Sequence, residues 1–241
     1  MSMKKSKKRA LLLTAAMVLA LLLGCCIYVG DYYRAEETVM DVPASVTVEV
    51  ADDRTVFAPE NAKVGLIFYP GGKVEYTAYR PLMAELAKRD IFCVLLVMPL
   101  NLAVLDRNAA EGIPEQFPEV ERWYLAGHSL GGSMAASFVA KSADIYEGLI
   151  LLAAYSTEDL TQSGLKVCSL YGDRDGVLNL EKYGQYRSNL PQDTLELVLE
   201  GGNHAGFGSY GHQEGDGAST LEPGEQLAWT ADRICEFILG G

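Results

Sequence analysis

Past its first nine positions the 241-residue chain is poor in basic residues. Residues 31–241 carry 15 of the 20 Lys and Arg against all 32 Asp and Glu, a net charge of −17. Phosphate backbones are gripped by clustered Lys and Arg, so this body is not built for nucleic acid, and anionic lipid headgroups repel it. Low-complexity tracts and internal repeats are missing, and with 49% apolar residues the body has the composition of a folded domain. Cysteine is scarce: five residues, none in a C-x-x-C pair, which excludes a zinc or dithiol site of that type and an even disulfide framework. Cys93, Cys168 and Cys235 lie in apolar stretches and read as small buried hydrophobes. The calcium-loop spacing D-x-[DN]-x-[DN]-G is also absent, which leaves Asp216 and its neighbours a calcium candidate on acidity alone.

What the chain does have at its start is a basic tail, residues 1–9, followed by 21 uncharged and mostly apolar residues, 10–30. At about 1.5 Å per residue this run makes roughly 30 Å of helix, the thickness of a bilayer core. Secretory signal cores are shorter and end in a small-x-small cleavage site, so the reading is a single-pass signal anchor in the cell membrane. Lys4, Lys5, Lys7, Lys8 and Arg9 then stay cytoplasmic and the body lies outside the cytoplasm. The alternative is a lipoprotein, because Leu22-Leu23-Gly24-Cys25 resembles a lipobox that would place the lipid on Cys25. Residues 31–44 read as a spacer closed by Pro43, and the folded body as 45–241.

The body alternates strand and helix patterns. Residues 45–50 and 55–57 form a hairpin-like pair, and 64–69, 91–98, 123–126, 148–155, 166–171 and 194–199 are apolar strand runs. Helical patterns fall at 79–89, 131–141, 178–189 and 222–239. Such alternation predicts an α/β fold, a mostly parallel sheet with helices on both faces, whose reactive groups gather beyond the carboxyl ends of the strands.

Gly127-His128-Ser129-Leu130-Gly131 matches G-x-S-x-G between a strand and a helix, where a sharp turn lifts a serine hydroxyl above the sheet edge. Serine needs a base to become a nucleophile. Of the three histidines, His128 adjoins Ser129 but points elsewhere on such a turn. His204 follows a strand through a short loop, and His212 sits in a longer glycine-rich segment, so His204 is the preferred base with His212 the alternative. Asp175 and Asp173, both after strand 166–171, are the candidate acids, Asp175 preferred.

From Val46 to the C-terminus the chain resembles the α/β-hydrolase family. The resemblance rests on Phe68-Tyr69-Pro70-Gly71-Gly72, on 127–132, on 172–177 and on Gly202-Asn203-His204, with the triad order Ser129, Asp175, His204. It implies that Asp175, the Asp of a G-x-x-D pattern, is the acid. It also implies that the backbone N–H groups of Gly72 and Leu130 hold an oxyanion, with Lys73 as a substitute for Gly72. The family's usual His before the first glycine is Pro70 here, a departure from the pattern.

Only about ten residues separate Tyr155 from Lys166, too few for a large cap domain. The long glycine-rich loop after His204 is read as a pocket wall, with Phe207 and Tyr210 as aromatic substrate contacts and Lys73 and His128 as further candidates. The expectation is a membrane-tethered serine hydrolase acting on a small-molecule carboxylic ester or other acyl substrate, with no metal or organic cofactor. The alternatives are an acyltransferase using the same triad and a catalytically silent surface-binding module on the same fold.

Overall fold

The computed structural model describes residues 2–37 and 40–240, with the side chains of 2–6 outside the description, Lys4 and Lys5 among them. It divides into two units, Met1–Tyr32 and Tyr33–Gly241. The first is one helix, α1 (Ser2–Gly30), so the basic tail and the apolar run share a single helix. Its stretch Lys7–Gly30 has a mean hydropathy of 2.7 and is long and apolar enough to cross a membrane.

The second unit is an eight-stranded sheet. Its strands are β1 (Val46–Val50), β2 (Arg54–Pro59), β3 (Val64–Tyr69), β4 (Ile91–Leu96), β5 (Arg122–His128), β6 (Gly148–Leu152), β7 (Lys166–Gly172) and β8 (Leu195–Leu199). They lie in the order β1-β2-β4-β3-β5-β6-β7-β8. β1 and β2 pair antiparallel, as does β2 with β4, and every other pair is parallel. The helices are α2 (Arg80–Ala87), the single turn α3 (Ile113–Gln116), α4 (Leu130–Val139), α5 (Leu180–Tyr186) and α6 (Glu225–Leu239).

The continuous apolar runs of the central strands have a physical cause, because both faces of the sheet are covered. In β3, Leu66 and Phe68 join a core with Leu86 of α2 and Ile234 of α6. Their neighbours Ile67 and Tyr69 point the other way, into a core with Ala135 and Val139 of α4. This two-residue alternation is the pleat of a strand. Cys93, Cys168 and Cys235 are buried free thiols, held up in pKa by burial.

Two features differ from the sequence reading. Residues 99–122, where no element was expected, hold three short helical turns, and the Tyr69 hydroxyl ties them down. It donates to the carbonyl of Arg107 at 3.0 Å and accepts the Ala110 N–H at 3.1 Å. Nor are residues 31–44 spacer throughout: Tyr33 forms a β-bridge with Val74. Between β6 and β7 no helix intervenes, consistent with a body that lacks a large cap.

Candidate active site

The turn from β5 into α4 is tight because its glycines leave no alternative. A Cβ on Gly127 would lie 2.6 Å from the backbone of Gly131 and Gly132, and one on Gly131 would run into the carbonyl oxygens of Tyr69 and Pro70. Ser129, at the apex, is held at φ 52° and ψ −123°, a region almost reserved for glycine and costing about 1–3 kcal/mol. Its N–H donates to the carbonyl of Leu152, which fixes the apex to the end of β6. Leu130 opens α4, so its N–H lies at the positive end of a helix, free of an intrahelical acceptor.

His204, after β8, and Asp175, after β7, meet at the same sheet edge. The Nδ1 of His204 is 2.8 Å from the Oδ2 of Asp175, and the two side chains are 2% and 1% exposed. The other oxygen of Asp175 accepts the N–H groups of Val177 and Leu178 at 2.8 and 2.7 Å, which locks the carboxylate's orientation. His204 Nε2 is buried and has no hydrogen-bond partner among the described residues. His204 and Ser129 line one pocket of about 240 Å³, walled by Leu130, Ala153, Tyr155, Val177 and Leu178. Ser129, His204 and Asp175 are thus brought to one place.

Asp173 has a different task. Its Oδ1 accepts the Gly201 N–H at 2.7 Å, joining the loops that follow β7 and β8. His212 lies outside this pocket and instead lines a larger cleft of about 760 Å³ beyond the His204 loop, with Glu36, Glu85 and Gly206.

The Pro70-Gly71-Gly72 loop faces the head of α4. A Cβ on Gly72 would lie 2.8 Å from the Cδ2 of Leu130, so the two expected oxyanion donors are neighbours. Among the described residues the Gly72 N–H has no protein acceptor. The N–H of Lys73, by contrast, donates to the carbonyl of Asn101 at 2.7 Å, which removes it as the substitute donor; its side chain is also absent from the pocket lining. The Gly71 N–H is occupied as well, by the Tyr79 hydroxyl at 3.1 Å.

That hydroxyl also lies 2.8 Å from Nδ1 of His128, so it joins the glycine loop to the strand end before Ser129. His128 is 1% exposed, and burial, with the neighbouring His204 ring, pushes its pKa well below the ordinary histidine value. It is a neutral linker between the two loops and does not line the pocket that holds Ser129 and His204. The aromatic pair expected as a pocket wall is displaced too. Phe207 is wholly buried in the core, and Tyr210 packs on Tyr33 and Tyr79 with its hydroxyl donated to Gln213. The glycine-rich loop folds inward because both rings have apolar surface to bury there.

Two positioning roles are not visible in the sequence, that of Asp216, read there only as a calcium candidate, and that of Gln226. Asp216 accepts the N–H groups of His204, Ala205, Gly176 and Gly217 at 3.2, 2.9, 3.1 and 2.9 Å, so its oxygens are committed to backbone rather than to calcium. Gln226 of α6 clasps the backbone of Asn203, accepting its N–H at 3.0 Å and donating to its carbonyl at 2.8 Å. The available signal was a glutamine on the buried face of an amphipathic helix, in line with Thr230 and Ile234.

The model of the family described as "Alpha/beta hydrolase family" matches residues 65–228. No curated protein matches the chain. Among solved structures, dienelactone hydrolase from Anabaena variabilis is similar, with TM-score 0.62 and 12% identity over 81% of this chain and 98% of that one. So is carboxyl esterase 2 from the mycorrhizal fungus Tuber melanosporum, with TM-score 0.61 and 12% identity over 87% and 91%. Est1E from Butyrivibrio proteoclasticus gives TM-score 0.57 and 15% identity over 82% and 98%. At these identities the likeness is one of fold.

Proposed function

This chain belongs to the alpha/beta hydrolase family, and we propose that it is a serine hydrolase cleaving carboxylic esters through an acyl-enzyme. The observation that carries this reading is the meeting of Ser129, at a strained apex, with an unpartnered His204 Nε2 in one pocket. Ser129 Oγ attacks the ester carbonyl while His204 Nε2 takes its proton. Asp175 holds the imidazole by Nδ1 and stabilises it once charged. The oxyanion is held by the N–H groups of Gly72 and Leu130, the latter aided by the α4 dipole. His204 then protonates the leaving alkoxide, and water, deprotonated by the same imidazole, releases the acid and restores Ser129.

In this proposal α1 anchors the chain in the cell membrane with its basic end in the cytoplasm and the hydrolase body outside. Support comes from the length and hydropathy of Lys7–Gly30 and the basic residues before it. The substrate is a small neutral ester, since the pocket mixes apolar walls with the uncharged Ser133, Tyr155 and Asn179 and carries no acidic or basic side chain besides His204.

The test is labelling of the full chain in detergent with a fluorophosphonate, beside Ser129→Ala and His204→Ala. Labelling that requires both residues is the expected result. A folded wild-type chain that stays unlabelled would overturn the proposal and point to a binding module.

A further inference from the structure

Residues 33–36, just after the apolar helix in sequence, bond to both loops of the candidate site. The Tyr33 N–H donates to the carbonyl of Lys73 and the Tyr33 carbonyl accepts the Glu75 N–H, both at 2.8 Å. Ala35 adds an N–H to the Glu75 carboxylate at 3.1 Å. On the opposite side Glu36 N–H donates to the Ser209 carbonyl at 2.8 Å, and the Tyr33 hydroxyl accepts the Glu214 N–H at 3.1 Å. One side reaches the loop that carries Gly72, the other the loop that leaves His204.

Val74, the bridge partner of Tyr33, donates its own N–H to the Gly71 carbonyl at 3.3 Å. That carbonyl and the Gly72 N–H belong to one planar peptide unit, so what holds the carbonyl also aims the N–H. Two successive glycines have little conformational preference of their own, and their peptide plane needs an outside hold. Resting on the oxyanion role proposed for Gly72, we infer that residues 33–36 are a clamp that positions this donor against the histidine loop. The segment following the membrane helix is then part of the active site, and the place where the chain is cut from its anchor decides whether the released body works.

The test uses two full-length chains in detergent, one with a protease site inserted after Gly30, the other with the site after Asp41. Cutting after Gly30 leaves the clamp on the body, and kcat on p-nitrophenyl butyrate should stay within about twofold. Cutting after Asp41 removes it with the anchor. There kcat should fall about 10- to 100-fold with KM nearly unchanged, and amide exchange across residues 70–75 should rise. Full kcat once the 1–41 fragment has dissociated would overturn the clamp, as would loss of the body's near-ultraviolet dichroism, which would mark a general stability role. If the fragment stays bound, Tyr33→Pro in the uncut chain, lacking the N–H to Lys73, must give the same fall. An uncut chain that neither turns over nor labels refutes the hydrolase reading instead, and the exchange measurement still decides the clamp.

Discussion

The carboxylate of Asp216 spans the two loops that present Asp175 and His204. Its Oδ1 accepts the N–H groups of His204 and Gly176, and its Oδ2 that of Ala205. Asp216→Asn puts an amide N–H₂ where one of these oxygens accepts, so a donor faces a donor. Bonds of this charge-assisted kind contribute about 1.5–3 kcal/mol, and Asp216 is only partly buried, so the lower end applies. A shift of His204 by a fraction of an ångström is expected to lower kcat about 10- to 100-fold with KM little changed. Steady-state kinetics on a p-nitrophenyl ester with a urea melt of the same sample checks both. Wild-type kcat would remove Asp216 from the positioning network.

Ser129 stores strain that a glycine would release. Its φ of 52° with ψ −123° costs about 1–3 kcal/mol for a side-chain residue. Glycine adopts it freely but loses about 0.5–1 kcal/mol more chain entropy on folding. Ser129→Gly should therefore raise the melting temperature of the body by about 2–4 °C, near 1 kcal/mol, while abolishing ester turnover. Ser129→Ala keeps the strain and should melt with the wild type. Scanning calorimetry on the three chains separates them, and equal melting temperatures for Gly and Ala would argue against stored strain.

Much of the fold was legible because its central strands are buried on both faces and its helices on one, which writes continuous apolar runs and period 3.6 into the sequence. Residues 64–69 fall on β3 as read, while the strand expected at 148–155 ends at Leu152, where Ala153 takes a positive φ of 47° and turns the chain out of the sheet. Ser129, Asp175 and His204 were legible through spacing and order, since each stands at a turn after a strand. What was not legible is carried by contacts between distant loops. Neither Asp216, between two glycines, nor Tyr79, in a helical pattern, announces its partners, which are backbone N–H groups of the loops after β7 and β8 for Asp216 and the Gly71 N–H and His128 ring for Tyr79. The inward fold of Phe207 escaped the same way, because a glycine-rich loop has no periodicity to show which side it buries.

The two aspartates after β7 make separable predictions. Asp175 is 1% exposed and bonded to His204 Nδ1, and Asp175→Asn should lower kcat about 10³- to 10⁴-fold by favouring the wrong imidazole tautomer. Among the described residues the Asp173 side chain bonds only to loop backbone and, at 3.8 Å, to Arg174, and it is 42% exposed. Asp173→Asn should keep kcat within a few-fold and shift stability by about 1 kcal/mol. Kinetics on both variants, with circular dichroism to verify folding, reads the difference. A larger kcat loss for Asp173→Asn would reverse the assignment.

His128 gives the fold a pH dependence of known sign. Burial and the adjacent His204 ring lower its pKa in the folded chain well below the ordinary value, whereas in the unfolded chain it titrates near about 6.5. Below that pH the unfolded state binds a proton that the folded state refuses, so acidification favours unfolding. The slope has a ceiling of about 1.4 kcal/mol per pH unit for one group, reached below the unfolded-state pKa. Asn at this position offers its Oδ1 to the Tyr79 hydroxyl but does not titrate. Between about pH 7 and pH 5 the melting temperature of the wild type should fall further than that of His128→Asn, by several degrees at most. Every other titrating group is common to both chains, and those away from the His128 ring cancel in the difference; His204, whose ring lies 4.5 Å away, is the one that does not. Parallel curves would mean that His128 takes up its proton in the folded state too, and that the Tyr79–His128 link between the glycine loop and the Ser129 turn opens in mild acid.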